Sequence, residues 1–250
     1  MPHFFIDSKN ISDKKITIND TETYRHIAKS LRAKIGERLL LIDSNEIQYE
    51  TIISDITDKT IIADIEKTYP SKRKLNFGLY LAQSPLRSDS QNTIIEKATE
   101  LGVTEVYPIY TDNCALNKDI INKKIPKWQK VMFEASKQCE RANIPQCSQL
   151  TTLKDLIESN KFTHIIAFCE RCACETLRDY TKVNNNLFNK NSKLLVIIGP
   201  EGGFSQKEFD YFREKSIAML TLGDLILKAE TAVIMALGNI IYEYNCAKQN

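Results

Sequence analysis

A chain of 250 residues exceeds the roughly 100–200 residues usual for one domain, so one large domain or two unequal ones is expected. With 42% hydrophobic and 26% charged residues, the composition excludes an intrinsically disordered chain. The 34 basic and 32 acidic side chains leave a net charge of +2, which neither demands nor excludes a nucleic-acid partner.

No apolar run approaches the ~20 residues of a membrane span. The start, Met1-Pro2-His3-Phe4-Phe5, has neither the basic region nor the apolar core of a signal peptide. A cytoplasmic location without a membrane partner is therefore expected. Seven cysteines at irregular spacing do not form a disulfide framework. Cys169, Cys172 and Cys174 form a CxxCxC cluster, but no second CxxC or paired histidines complete a four-ligand zinc site, so no metal is expected. Two basic patches stand out: Lys67 to Lys74, containing Lys72-Arg73-Lys74, and Lys123, Lys124, Lys127 and Lys130. A linker and a solvated helix face account for them as readily as phosphate contact does.

The first 70 or so residues alternate short β-branched runs with turns, at His3–Ile6, Lys15–Ile18, Glu37–Ile42, Gln48–Ile56 and Thr60–Ile65, which predicts a small β-barrel. A helix over Glu22–Arg32 interrupts it and brings Arg25, Lys29 and Arg32 together on its polar side, a face suited to holding RNA. The aperiodic stretch Tyr69–Lys74 marks a boundary, giving domains of 1–72 and 73–250.

From Leu75 strands and helices alternate, the signature of a parallel α/β sheet. Predicted strands are Asn76–Ala82, Glu105–Tyr110, His164–Cys169, Lys193–Ile198 and Ala218–Leu222. Predicted helices are Asn92–Leu101, stopped by Gly102; Pro126–Arg141, with proline at its first turn; and Glu230–Tyr244, apolar enough to lie in a core or a dimer interface.

Half of the eight glycines fall between Gly199 and Gly223. The buried run Leu194–Ile198 leads directly into Gly199-Pro200-Glu201-Gly202-Gly203-Phe204, and Ser205 with Glu208 forms a capping box that opens the next helix. Such a loop lies at the carboxyl end of a strand, where open α/β sheets hold ligands, although a tight turn without a ligand has the same local pattern. It is neither GxGxxG nor GxxxxGK[ST], and Glu201 would repel phosphates, so a cationic ligand fits better than a nucleotide. A second loop, Leu222 to Ala232, again joins strand to helix, and Leu225, Ile226 and Leu227 could line an adenine pocket or simply pack on the sheet.

Ile198-Gly199-Pro200-Glu201-Gly202-Gly203-Phe204-Ser205 through Glu208, followed by Leu222-Gly223, Ile226-Leu227 and Glu230-Thr231-Ala232, resembles the paired cofactor motifs of the 16S rRNA (uracil-1498-N3)-methyltransferases of the SPOUT superfamily. Lys97-Ala98-Thr99-Glu100-Leu101-Gly102-Val103 and Glu134-Ala135, Gln138-Cys139-Glu140-Arg141 and Ile144-Pro145 match two further segments, and the barrel with Leu31-Arg32 resembles a PUA-like RNA-binding domain. The likeness spans nearly the whole chain. Departures are Asp224 and Lys228-Ala229 in the second loop, Ser90 where a basic residue is usual, and His3 near a usual arginine.

The resemblance implies a trefoil-knotted α/β methyltransferase domain behind a PUA-like barrel, a homodimer, S-adenosylmethionine as cofactor, and 16S rRNA within the small ribosomal subunit as partner. It places the cofactor against Ile198, Gly199, Glu201, Gly202, Gly203, Leu222, Gly223, Leu225, Ile226, Leu227, Thr231 and Ala232. RNA contacts fall to Arg25, Lys29, Arg32 and Arg73, and catalysis to Arg141 and Glu230. Glu230 is either a base or an anchor for the cofactor amine. A non-catalytic or retargeted ribosome-assembly factor of the same fold, and a nucleotide-dependent enzyme, are the competing readings; the missing phosphate motif disfavours the latter.

Overall fold

The computed structural model describes residues 3–71, 74–87, 89–169 and 175–248. They form two compact units, Met1–Lys74 with Ser136–Asn143, and Leu75–Ala135 with Ile144–Asn250.

The first unit is built on β1 (His3–Phe5), β2 (Ile11–Ser12), β3 (Lys15–Ile18), β4 (Arg38–Ile42), β5 (Ile47–Ile56) and β6 (Ile61–Pro70), in the order β1-β4-β5-β6-β3-β2. Period-two alternation turns Ile16, Ile18, Leu39, Leu41, Ile53, Ile61 and Ala63 to one core. β6 runs five residues past the predicted Ile65, because a register shift at Glu50/Thr51 lets it go on pairing with β5 as far as Ile47↔Pro70. The helix α1 (Thr21–Arg25) starts where the Asp20 carboxylate accepts the Thr23 amide at 2.8 Å. It loosens into a π-turn over His26–Ser30 that drops Ile27 into the core. The helical span predicted to Arg32 therefore stops short, and Arg32 itself takes φ 52°.

The second unit contains β7 (Gly78–Gln83), α2 (Ser90–Glu100), β8 (Glu105–Tyr110), α3 (Lys118–Gln138), β9 (Gln146–Cys147), β10 (Thr151–Thr152) and α4 (Leu153–Glu158). It continues through β11 (His164–Phe168), β12 (Glu175–Thr176), α5 (Leu177–Val183), β13 (Lys193–Ile198), α6 (Gln206–Glu214), β14 (Ala218–Thr221) and α7 (Ala229–Ala247). Among the described residues the strands pair in parallel in the order β10-β8-β7-β13-β11-β14-β12, with β9 also on β8. β13 is apolar from Leu194 onward because both of its faces are covered there. Leu194, Val196 and Ile198 pack with Ile94 of α2, Trp128 of α3 and Val233 of α7, while Leu195 and Ile197 pack with Leu156 of α4 and Phe212 of α6.

Two helix limits differ from expectation. α3 begins at Lys118, eight residues before Pro126, where Asn117 Oδ1 accepts the Ile120 amide at 2.9 Å. Pro126 lies inside the helix on its exposed side, while Ile121, Ile125, Trp128 and Met132 recur on the buried side, and that apolar stripe outweighs the lost backbone bond. At the other end the helix stops at Gln138 rather than Arg141, as Glu140 turns to φ 56°.

Candidate active site

β13, β11 and β14 are adjacent, and their registers place Ile198 beside Phe168 and Phe168 beside Leu220. Their carboxyl ends thus open on one side of the sheet, and a cavity of about 700 Å³ lies there. The loop after β13 supplies Ile198 through Phe204, and the loop after β14 supplies Leu222, Gly223, Leu225, Ile226 and Leu227. The start of α7 adds Lys228, Ala229, Glu230 and Ala232.

The first loop is braced from two directions. Ser205 and Glu208 form the capping box of α6: the Ser205 hydroxyl accepts the Glu208 amide at 3.3 Å, and the Glu208 carboxylate accepts the Ser205 amide at 2.8 Å. The other Glu208 oxygen accepts the Asp112 amide at 3.1 Å, and Ser205 donates to Asp112 Oδ2 at 2.6 Å, tying the loop after β8 to this turn. Burial pushes the Glu208 carboxyl above its ordinary value, opposed by the amides of Ser205 and Asp112. Asn113 donates to the carbonyls of Gly202 and Gly203 at 3.3 and 3.1 Å. A Cβ at Gly202 would come within 3.2 Å of Asn113 Cβ, so a side chain there would press on the residue that braces the loop. Gly203 closes a turn onto the Pro200 carbonyl at 2.9 Å with φ +68°, a conformation costly for other residues.

In chemical terms the pocket has apolar walls and two carboxylates, Glu201 and Glu230. Neither makes an ion pair with another described residue; the neutral Ser90 hydroxyl donates to Glu230 Oε1 at 3.4 Å. Backbone groups of a glycine loop, an apolar lining and two carboxylates without ion pairs among the described residues, beside the single cation Lys228, suit a ligand that is part heteroaromatic and part cationic.

Of the residues singled out in the sequence, Glu230 and eleven of the twelve cofactor positions line this cavity. Thr231 does not; it is exposed on α7. The sequence reading missed Phe168, Cys169, Phe209 and Asn113 as parts of the site. The rule that ligands sit at carboxyl strand ends could have found Phe168 and Cys169.

Arg141 is not in the cavity wall. It belongs to the first unit, half-buried, and its Nη2 donates to Asn143 Oδ1 at 3.0 Å. Asn143 in turn donates to Glu46 Oε1 at 2.8 Å, and Lys74 pairs with the other Glu46 oxygen. Burial lowers the Arg141 pKa and the nearby charges of Cys139 and Glu46 raise it. For Glu46, burial acts to raise the carboxyl, and the hydrogen bonds from Lys74 and Asn143 outweigh it, leaving the group below its ordinary 4.5. A depressed carboxylate stabilises the fold above its unfolded pKa and loses that contribution as pH falls through the folded value. Glu46→Gln should therefore lower the thermal midpoint near pH 7, with the gap from wild type closing below about pH 4.5 in a pH series of melting curves; a gap independent of pH would contradict this.

Arg25, Lys29 and Arg32 are exposed in the first unit, without ion-pair partners among the described residues. Arg73, Cys172 and Cys174 lie outside the described residues.

Residues 73–241 match the family model of the RNA methyltransferase domain. The chain belongs to that family. Residues 18–66 match the RNA methyltransferase PUA domain. A protein of Mesomycoplasma hyopneumoniae named ribosomal RNA small subunit methyltransferase E is 29% identical over 245 residues, covering 96% of this chain and 99% of its own. A protein of the same name from Aquifex aeolicus is 30% identical over 175 residues, 70% of each chain. Among solved structures, a ribosomal RNA small subunit methyltransferase E of Neisseria gonorrhoeae bound to S-adenosyl methionine superposes with a TM-score of 0.82 at 22% identity, covering 98% of both chains. The fold of this RNA methyltransferase is thus of the α/β type, with a parallel sheet behind an N-terminal PUA domain.

Proposed function

We infer that the protein transfers a methyl group from S-adenosylmethionine to N3 of a uridine, uracil-1498, in 16S ribosomal RNA. The observation that carries this reading is the cavity at the carboxyl ends of β13, β11 and β14, with its glycine loop, apolar wall and two carboxylates that form no ion pair among the described residues. The residues fit S-adenosylmethionine: Leu222, Leu225, Ile226 and Leu227 would hold the adenine, loop amides and carbonyls would meet its edge, and Glu201 and Glu230 would balance the amino and sulfonium charges. When bound, that cofactor supplies an electrophilic methyl group.

The chain's own residues must then orient the base and manage its N3 proton. Orientation by the loops aligns nitrogen and methyl in line. Loss of the proton leaves negative charge on O2 and O4, which a guanidinium, always charged near neutrality, can stabilise; the resemblance gives that role to Arg141, which is not among the residues of the cavity wall. Glu230 anchors the cofactor amine. Uridine N3 is hidden in a base pair, so the target is unpaired or extruded. Arg25, Lys29, Arg32 and Arg73 hold the surrounding RNA by its phosphates.

The protein acts as a cytoplasmic homodimer. The described α7 helix leaves Ile234, Met235 and Tyr242 at 38%, 39% and 65% exposure, and the second loop leaves Leu225 and Ile226 at 79% and 66%, apolar surface of the kind a partner subunit covers. The strand order, with the late β13 inserted between β7 and β11, suits loops threaded as a trefoil knot.

Calorimetry with S-adenosylmethionine and with ATP, followed by transfer of labelled methyl to small ribosomal subunits lacking the modification, tests the reading. Binding of the first ligand alone, with transfer, is expected. Binding without transfer would favour an assembly factor, and preference for ATP would overturn the cofactor assignment.

A further inference from the structure

The basic run on α3 is absorbed by neither the cofactor pocket nor the PUA unit. Lys123, Lys127 and Lys130 follow at four and three residues, so they stand in one row along about 10 Å of helix axis, and all three are exposed. The opposite face of the same helix carries the buried Ile121, Ile125, Trp128 and Met132, which fixes the row toward solvent.

Three helices elsewhere in this chain neutralise such side chains locally. Lys97 pairs with Glu96 and Glu100, Lys182 with Asp179, and Arg213 with Asp210, at distances of 2.7–2.9 Å. The row on α3 is built differently. Asp119 lies one turn before it and Glu134 one turn after, yet none of the three lysines forms an ion pair or hydrogen bond among the described residues. Like charges at these spacings cost a few tenths of a kcal/mol per pair, so stability alone does not favour the arrangement. Lysine offers a compact charge on a flexible stem, suited to meeting phosphates along a backbone and unsuited to reading bases.

We propose that this face of α3 is a second RNA-contacting surface, on the methyltransferase unit, which takes the phosphate backbone away from the target uridine. The proposal rests on the reading that RNA is the substrate. Its contribution is sequence-independent and salt-sensitive, supplementing whatever contact specifies the site.

The test uses the full chain with Lys123→Gln, Lys127→Gln and Lys130→Gln combined, and protein-free small-subunit ribosomal RNA in filter binding between 50 and 200 mM KCl. Each phosphate contact contributes roughly 0.7–0.9 to the slope of log affinity against log salt. The triple variant should lose roughly 2 in that slope and bind RNA at least about tenfold more weakly at 100 mM salt, with S-adenosylmethionine affinity unchanged in calorimetry. Wild-type slope and affinity in the variant would overturn the proposal and return the row to a solvated face. An unchanged RNA slope together with lost binding to phosphatidylserine vesicles would overturn it in favour of a membrane surface. Failure of the wild-type protein to methylate RNA would instead strike the proposed function, so the two failures are distinguishable.

Discussion

Glu230→Gln is expected to weaken binding of S-adenosylmethionine by roughly 10- to 100-fold, the range set by losing a charge-assisted hydrogen bond of about 1.5–3 kcal/mol. Glutamine keeps the shape of the side chain and its bond from Ser90 but removes the negative charge from the cavity wall. Glu230 sits in the first turn of α7 and in the pocket wall, and its neighbour Ser90 brings no positive charge to compete for it. Calorimetry should show the loss in affinity, with the turnover rate at saturating cofactor reduced far less. An unchanged cofactor affinity with a collapsed turnover rate would instead assign Glu230 the proton.

Gly203→Val should weaken the cofactor by about tenfold or more, for a backbone reason. A Cβ at this position meets nothing within 4 Å, so the side chain has room; the conflict is with φ +68°. A β-branched residue held in the left-handed region costs of order 1–3 kcal/mol, and the turn onto Pro200 relaxes away from the pocket rather than bearing it. Asparagine tolerates that region, so Gly203→Asn should retain affinity within a few-fold. Equal losses in the two variants would mean that side-chain bulk, not backbone conformation, closes the site.

Much of this site was legible because its signals are local. The unbroken apolar run Leu194–Ile198 announces a strand buried on both faces, and Ser205 with Glu208 announces where α6 begins, so the sequence places the loop between them at a strand's carboxyl end. The partners of that loop were not legible. Asn113 reaches Gly202 and Gly203 from 89 and 90 residues away, and Phe168 enters the wall through strand order, which periodicity does not encode. Thr231 was taken into the pocket with its neighbours, but a helix turns its residues by about 100° each, and on α7 Glu230 and Ala232 point in while Thr231 points out. Pro126 misled for a related reason: a proline reads as a helix start unless the apolar stripe on both sides of it is weighed against it. The link from Arg141 through Asn143 to Glu46 joins segments 97 residues apart, and the end of α3 with the turn after it groups with the first unit, a long-range packing outcome with no local signature.

The most direct test is nucleoside analysis of 16S ribosomal RNA after small subunits lacking the modification are incubated with this protein and methyl-labelled S-adenosylmethionine. The account predicts label in 3-methyluridine and in no other nucleoside. Label on another atom or base, or no label from a protein that binds the cofactor, would contradict it.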